Sequence, residues 1–334
     1  MNVLATGPSG PAHELDALGA AGHTVTIGRP LDMPARRPYT EDELTAEARQ
    51  ADVILASHLE TISTRVMEGA PALRLAIVPF IGTDKIDIPA ATRLGVAVAN
   101  SPTKENFVAV AEAAIGLMLM LLKRIKHNEA RLRAGQWATR EDRGDFLFGK
   151  TVGIVGLGRI GSHVARRLAG WDARLIASDP YVDPAHARAL GVSLVDLDTL
   201  LAESDIVTLH ASLTAHTRGL VNEKALRRMK PSALLINTAR GELVDEATVA
   251  TALDAGWIAG AAVDAFAREP LPADSRYRNV DPARLILTPH NVAHSEAGRR
   301  ANLALAIEQI LAVGRGEPPA HLVNPEVLEH WRKA

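Results

Sequence analysis

The sequence predicts an α/β protein built on two doubly wound parallel sheets, with the domain around the first sheet discontinuous. Three observations carry this expectation. Short apolar runs alternate with helical stretches along nearly all of the 334 residues, the pattern of parallel strands joined by crossover helices. One apolar run ends in Gly156-Leu157-Gly158-Arg159-Ile160-Gly161, a glycine-rich turn from strand into helix. The first unit also runs out of chain before it has a covering helix at its end, whereas a helix and a tail remain after the last strand of the second.

In the first unit, β-like runs lie at 2–6, 24–27, 53–56, 75–79 and 96–98, with helical stretches at 12–21, 41–50, 63–69 and 88–94. Its opening turn, Gly7-Pro8-Ser9-Gly10, lacks the spacing of a phosphate cradle. A long helix is expected at about 104–127; its apolar run 107–122 contains Glu112. That run is short of the roughly 18–20 residues needed to cross a bilayer, and a mid-span carboxylate is costly there. A core helix follows, and because it is apolar nearly all round it should be covered on several sides, by both domains or by a second subunit. The polar connection Arg140-Glu141-Asp142-Arg143-Gly144 leads to strands at 152–155, 174–178, 206–209, 233–236, 260–263 and 285–287. Six strands fit two mononucleotide-binding halves of a Rossmann-like domain. The last helix, 295–313, and the tail Val323-Asn324-Pro325-Glu326 should cross back onto the first sheet. The expected domains are therefore 1–101 with 295–334, flavodoxin-like, and 102–294, Rossmann-like.

Composition narrows the function classes. A net charge of −2 gives no field that would draw the chain to nucleic acid or an anionic membrane. The absence of cysteine excludes disulfides, thiolate catalysis and cysteine-held metals, and no metal is expected. The start, Met1-Asn2-Val3-Leu4-Ala5, has neither a basic beginning nor a long apolar core, so no signal peptide is expected and the address is expected to be cytoplasmic.

The glycine-rich turn predicts a dinucleotide site. Gly156 allows the tight turn, Gly158 lets a pyrophosphate approach the helix N-terminus, and Gly161 lets helix and strand pack closely. Asp179 closes the next strand, where a carboxylate accepts from ribose hydroxyls and repels a 2′-phosphate. NAD is therefore the expected cofactor.

Ligands of such sheets bind at the carboxyl ends of strands, and three ends carry reactive side chains. Arg240 follows one strand, Asp264 and Glu269 the next, and His290 the last. Hydride transfer to a 2-oxo acid needs a cation for the carboxylate and carbonyl oxygen, which an arginine fork supplies, and an acid for the new alkoxide, which histidine supplies near neutral pH. A carboxylate behind the histidine fixes its tautomer and favours the imidazolium. Taken singly, each is as readily a surface ion pair, a loop residue or a turn residue; their convergence beside a cofactor is the argument.

These residues carry a resemblance. With Gly82-Thr83-Asp84-Lys85-Ile86-Asp87, Val110-Ala111-Glu112, Leu235-Ile236-Asn237-Thr238-Ala239-Arg240-Gly241, Glu269-Pro270, Thr288-Pro289-His290 and the tail motif, the chain resembles the D-isomer-specific 2-hydroxyacid dehydrogenases over essentially its whole length. The resemblance implies that His290 is the general acid/base, Glu269 its partner and Arg240 the substrate clamp. It implies that Asp264 holds the nicotinamide carboxamide and that main-chain N–H groups at Ile81 and Gly82 complete the substrate site. Arg159, Ile160, His210 and Thr238 complete the expected cofactor residues, and a homodimer joined through the nucleotide domains is implied.

The departures leave questions open. Phe80 replaces a glycine that many members carry and could narrow the pocket; Asn291-Val292-Ala293-His294 replaces the usual Ile-Ala-Gly; and Ser212 stands where proline is usual. His210 and His294 are thus competitors for the acid role. The loop Ser57-His58-Leu59-Glu60, where phosphoglycerate dehydrogenases tend to place arginine, disfavours a phosphorylated substrate, as does the expectation that no regulatory domain follows. Glutamate at 269, where formate dehydrogenases carry glutamine, disfavours formate. A small 2-oxo acid and its D-2-hydroxy acid remain. An NAD-regulated corepressor-like protein and a dehydrogenase of a non-carbon donor such as phosphite are the alternatives.

Overall fold

The computed structural model describes residues 1–7, 10–29 and 37–332, so Pro8 and Ser9 of the opening turn lie outside the described residues. The chain divides into two compact units, Met1–Asn106 with Ser295–Ala334, and Phe107–His294.

The first unit runs β1 (Asn2–Ala5), α1 (Asp16–Ala20), β2 (Thr24–Ile27), α2 (Glu41–Glu47), β3 (Val53–Leu55), α3 (Thr64–Glu68), β4 (Leu75–Ile77), α4 (Ile88–Arg93) and β5 (Ala97–Ala99). Its sheet is parallel in the order β2-β1-β3-β4-β5. Apart from Asn2 at the start of β1, the inner strands are apolar because both sheet faces are covered. Successive residues go to opposite sides: Leu4, Ile54, Ala76 and Val98 join one core, and Val3, Val53, Leu75 and Ala97 the other. The edge strand β2 keeps its threonines for solvent.

The second unit runs α5 (Lys104–Leu122, inside it from Phe107 on), α6 (Ile125–Arg133), β6 (Thr151–Val155), α7 (Arg159–Leu168), β7 (Arg174–Ser178), α8 (Pro184–Ala189), β8 (Ser193–Leu194), α9 (Leu197–Glu203), β9 (Ile206–Leu209), α10 (Glu223–Arg228), β10 (Leu234–Asn237), α11 (Glu246–Asp254), β11 (Gly260–Val263) and β12 (Leu285–Leu287). Its seven strands are all parallel, in the order β12-β11-β10-β9-β6-β7-β8. The sequence predicts six strands, and the seventh, β8, has only two residues, too few for a periodic signal.

The helix expected at 104–127 also differs. It stops at Leu122, Arg124 takes a left-handed φ of 52°, and α6 restarts at Ile125. The cause lies in the polar connection, which folds back so that the Asp145 N–H donates to the Leu122 carbonyl at 2.7 Å, capping α5. At 19 residues α5 is long and apolar enough, by length and composition, to cross a membrane. Its Ala111, Ala114, Ile115, Leu117, Met118 and Leu122 nevertheless lie in the core of the second unit, while Met120 is 36% exposed.

After His294 the chain returns to the first unit as α12 (Glu296–Gly314), which buries Ala306, Ile307, Ile310 and Val313 in its core. The tail then pairs with β5: the Val323 N–H donates to the Val98 carbonyl at 2.7 Å, and Asn324 Oδ1 accepts the Val98 N–H at 2.8 Å. The open edge of β5 is thereby closed.

Candidate active site

The order of the second sheet sets the order of the candidate residues. Along its carboxyl edge stand Asp179 after β7, Gly156 after β6, His210 after β9, Thr238 and Arg240 after β10, Asp264 after β11 and His290 beyond β12. The strand order reverses between β6 and β9, the crevice in which such sheets bind ligands.

At that crevice the fingerprint is held by contact. Gly156 takes a φ of +90°, and a Cβ on it would stand 2.7 Å from the Ala211 nitrogen. A Cβ on Gly161 would stand 2.1 Å from the Gly156 carbonyl oxygen, so strand and helix meet only through glycine there. Beside Gly158 there is open space, and α7 starts with no side-chain cap, so its first-turn N–H groups are left for an anion. Asp179 does more than the sequence suggests. Its Oδ2 accepts the Leu157 N–H at 2.8 Å and its Oδ1 the Tyr181 N–H at 2.9 Å, so it braces the glycine loop and keeps a further lone pair on each oxygen for ribose hydroxyls.

Two neighbouring strand ends hold polar atoms without a partner: His210 Nδ1 and Thr238 Oγ1 are both buried and unbonded. Such atoms are costly unless a ligand completes them. Burial pushes the His210 imidazole down to about 4, and its Nε2 lies 2.9 Å from Thr208 Oγ1. Burial of this kind favours the neutral ring, a poor proton donor to an alkoxide near neutral pH, which counts against His210 in the acid role. His294 is lowered by burial and by the charge of His290, and no carboxylate hydrogen-bonds it among the described residues.

His290 has the partner the others lack. Its Nδ1 lies 2.8 Å from Glu269 Oε1 and 3.0 Å from Oε2, leaving Nε2 as the ring nitrogen for other chemistry. The histidine is held at φ 52°, and its N–H donates to the Thr288 carbonyl at 2.9 Å. Asp264 Oδ1 secures this turn, accepting Thr288 Oγ1–H at 2.5 Å and the N–H groups of Asn291 and Val292 at 3.1 and 3.3 Å. Oδ1 is thus occupied within the protein, and Oδ2 is the oxygen left for a carboxamide.

Arg240 is presented by a residue that sequence reasoning quoted without giving it a role. Buried Asn237 accepts the Ala239 N–H at 3.1 Å and donates to the Arg240 carbonyl at 2.9 Å, fixing the turn that carries the guanidinium. The signal was there, as an asparagine in an otherwise apolar strand has to spend its amide somewhere. Arg240, Glu269 and His290 thus share one sheet edge, whereas Ile81 and Gly82 belong to the first unit, in the loop after β4, where the Ile81 carbonyl accepts from Asn100 Nδ2 at 2.8 Å. The bulk of Phe80 is turned onto the core of that same unit. No group of three His, Asp or Glu is placed to hold a metal among the described residues.

Comparison with known proteins agrees with this geometry. Residues 115–292 match the family described as D-isomer specific 2-hydroxyacid dehydrogenase, NAD binding domain, a stretch that runs through the fingerprint to His290. The chain belongs to this family. It is 40% identical to a glyoxylate reductase of Thermofilum pendens over 87% of each chain. It is 39% identical to the D-3-phosphoglycerate dehydrogenase of Mycobacterium tuberculosis over 92% of its own length but only 56% of that protein, so it spans about half of such relatives. The crystal structure of the TT0316 protein of Thermus thermophilus superposes with a TM-score of 0.86 at 32% identity, covering 97% of this chain and all of that one. As in the family, the second unit is an NAD-binding domain, and the orphaned His210 and Thr238 atoms, the uncapped α7 and the open space beside Gly158 fit that cofactor.

Proposed function

We propose that this 2-hydroxyacid dehydrogenase family member interconverts a small 2-oxo acid and its D-2-hydroxy acid with NAD, His290 acting as general acid/base. The observation that carries the reading is the 2.8 Å contact between His290 Nδ1 and Glu269, which fixes the tautomer and leaves Nε2 to exchange a proton with the substrate oxygen. Bound NADH supplies the hydride. Arg240 grips the substrate carboxylate and polarises the carbonyl as charge develops on oxygen. In oxidation the neutral His290 takes the hydroxyl proton, and the nearby Glu269 charge steadies the resulting imidazolium.

The loop after β3 favours an unphosphorylated substrate. Glu60 in that loop is 1% exposed and accepts from Ser57 Oγ, and the stretch Ser57-His58-Leu59-Glu60 holds no arginine or lysine to meet a phosphate dianion. The reading extends to a cytoplasmic homodimer. Its support is a group of exposed apolar residues on and after α6, with Ile125 49%, Leu132 61%, Trp137 81% and Phe148 65% exposed. Light scattering should then give a particle of about twice the 35.6 kDa chain mass, and a monomer at micromolar concentration would exclude the dimer.

The test of the activity is NADH oxidation followed at 340 nm with glyoxylate, hydroxypyruvate, pyruvate and phosphohydroxypyruvate, and NAD reduction with phosphite. Rapid turnover of a short 2-oxo acid is expected; turnover of phosphite alone, or NADH binding without turnover of anything, would favour the alternatives. His290→Ala should lower kcat by about 10²–10⁴-fold, the usual worth of a positioned acid, with NADH affinity unchanged. Near-normal turnover in that variant would remove His290 from the role.

A further inference from the structure

Glu246 opens α11, directly after the N-cap Asp245. Its Oε1 does not serve its own helix but accepts the Ala267 N–H, at 2.7 Å, from the loop that follows β11. The N–H before it in that loop, on Phe266, donates to Glu269 Oε1 at 3.0 Å, and the same Oε1 lies 2.8 Å from His290 Nδ1. Two carboxylates, one from α11 and one from the loop, therefore hold successive N–H groups of the segment that carries the histidine's partner.

A third contact binds this segment to Arg240. Gly241 lies so close to it that a Cβ there would stand 2.0 Å from both the Ala267 nitrogen and the Phe266 carbonyl carbon. The stretch bearing Arg240 and the stretch bearing Glu269 are thus packed backbone on backbone, and Glu246, on the first, is bonded to the second. That carboxylate is kept at a cost. Burial, then Glu242, Glu269 and Asp245, push its titration up, while the Ala267 N–H pulls it down. On the facing element the charges of Glu246 and Asp245 add to burial in raising the Tyr277 hydroxyl.

We propose that Glu246 is a positioning residue for the reaction: by holding the Ala267 N–H it fixes the loop from which Glu269 orients His290, and ties that pair to the stretch presenting Arg240. This rests on the reading of His290 as the proton donor. Without the acceptor, the Phe266–Ala267 peptide loses its hold, and a change in the Phe266 backbone dihedrals passes to the adjoining Ala265–Phe266 peptide, whose N–H anchors Glu269. Misorientation of this kind acts on the chemical step and leaves cofactor binding alone.

The experiment compares Glu246→Ala, Glu246→Gln and Glu246→Asp in the full chain. Glu246→Ala should lower kcat by about 10–100-fold, with the NADH Kd and the 2-oxo acid KM within about 2-fold of wild type, a loss of the size that small misplacements cause. The downfield proton resonance of His290 Nδ1–H should shift or broaden at the same time. Glu246→Gln keeps an acceptor oxygen and should recover kcat to within about 3-fold, whereas Glu246→Asp is one methylene too short to reach and should behave like Ala. Glu246→Asp also replaces the Ala variant should that one not fold. Asp245→Ala removes the helix cap and a neighbouring charge but leaves the Glu246–Ala267 bond in place, and should lower Tm without lowering kcat. Wild-type kcat in Glu246→Ala or Glu246→Asp, an unmoved resonance, or a Gln variant as slow as Ala each overturns the inference. His290→Ala, run beside them, tells which idea failed. If it turns over normally the reading of the site falls and this inference with it; if it is inactive while Glu246→Ala is not, only the positioning role falls.

Discussion

Asp179 shows how one side chain takes on two tasks that its place in a motif does not separate. The carboxylate that is to meet the ribose also holds the Leu157 N–H, so removing it disturbs the pyrophosphate loop as well. Asp179→Ala should narrow the gap in kcat/KM between NADH and NADPH, by about tenfold or more and chiefly by weakening NADH, since a bonded carboxylate is worth roughly 1.5–3 kcal/mol. Asp179→Asn keeps an oxygen for the Leu157 N–H while losing the charge and the acceptor for the Tyr181 N–H, so any narrowing that survives in it does not come from loss of the Leu157 brace. A wild-type preference for NADPH would refute the reading of this strand end. The meeting of Arg240, Glu269 and His290 at one sheet edge, and the place of the fingerprint glycines at the turn after β6, were legible because such sheets present side chains at the carboxyl ends of their strands. Asn237 left only the hint of an amide in an apolar strand, and Glu246 left none, because its work is to hold a backbone N–H group and such a group leaves no trace in a sequence.

Strand β9 illustrates the same division one level up. Its run Ile206–Leu209 is plain from apolar residues alone, yet the environment of the next residue, His210, depends on the neighbours of β9 in the sheet. Held at about 4 by burial, against an ordinary value of 6.5, this imidazole is neutral in the folded chain while the unfolded chain takes up a proton below about pH 6.5. The sign follows: the unfolded state binds more protons between those values, so stability falls as pH drops from about 6.5 to about 4 and this contribution is flat below. The loss amounts to about 3 kcal/mol at 1.36 kcal/mol for each unit of difference. Urea unfolding across this range should therefore show a steeper acid loss in wild type than in His210→Gln, and parallel profiles would show that the ring titrates normally. Among the elements, the missed strand β8 is too short to show a period, and the break in α5 is made by Asp145, 23 residues beyond Leu122 in sequence and so invisible to a local pattern.

At the scale of the whole chain, the alternation of strand and helix was enough to give two parallel sheets, because covered strands must be apolar on both faces and the crossover needs a helix each time. The return of the C-terminal segment was legible for a different reason, a surplus helix with nothing left to cover. What the sequence leaves out is how the return is fastened, by the Asn324 amide to β5.

That fastening has a consequence for the order of events during synthesis. The second unit is continuous, and all of it has left the ribosome once His294 is clear of the exit tunnel, whereas the first waits on residues from Ser295 to the tail. Until Val323 and Asn324 emerge, β5 is a bare edge, able to pair with any strand nearby. A chain stopped after Gly314 should accordingly keep an NAD-binding second unit with native-like protection from hydrogen exchange, while β4 and β5 exchange rapidly and the protein aggregates as its concentration rises. Full protection of β5 in that truncated chain would mean that the first unit assembles without its last strap, and that the order of emergence is of no importance to folding.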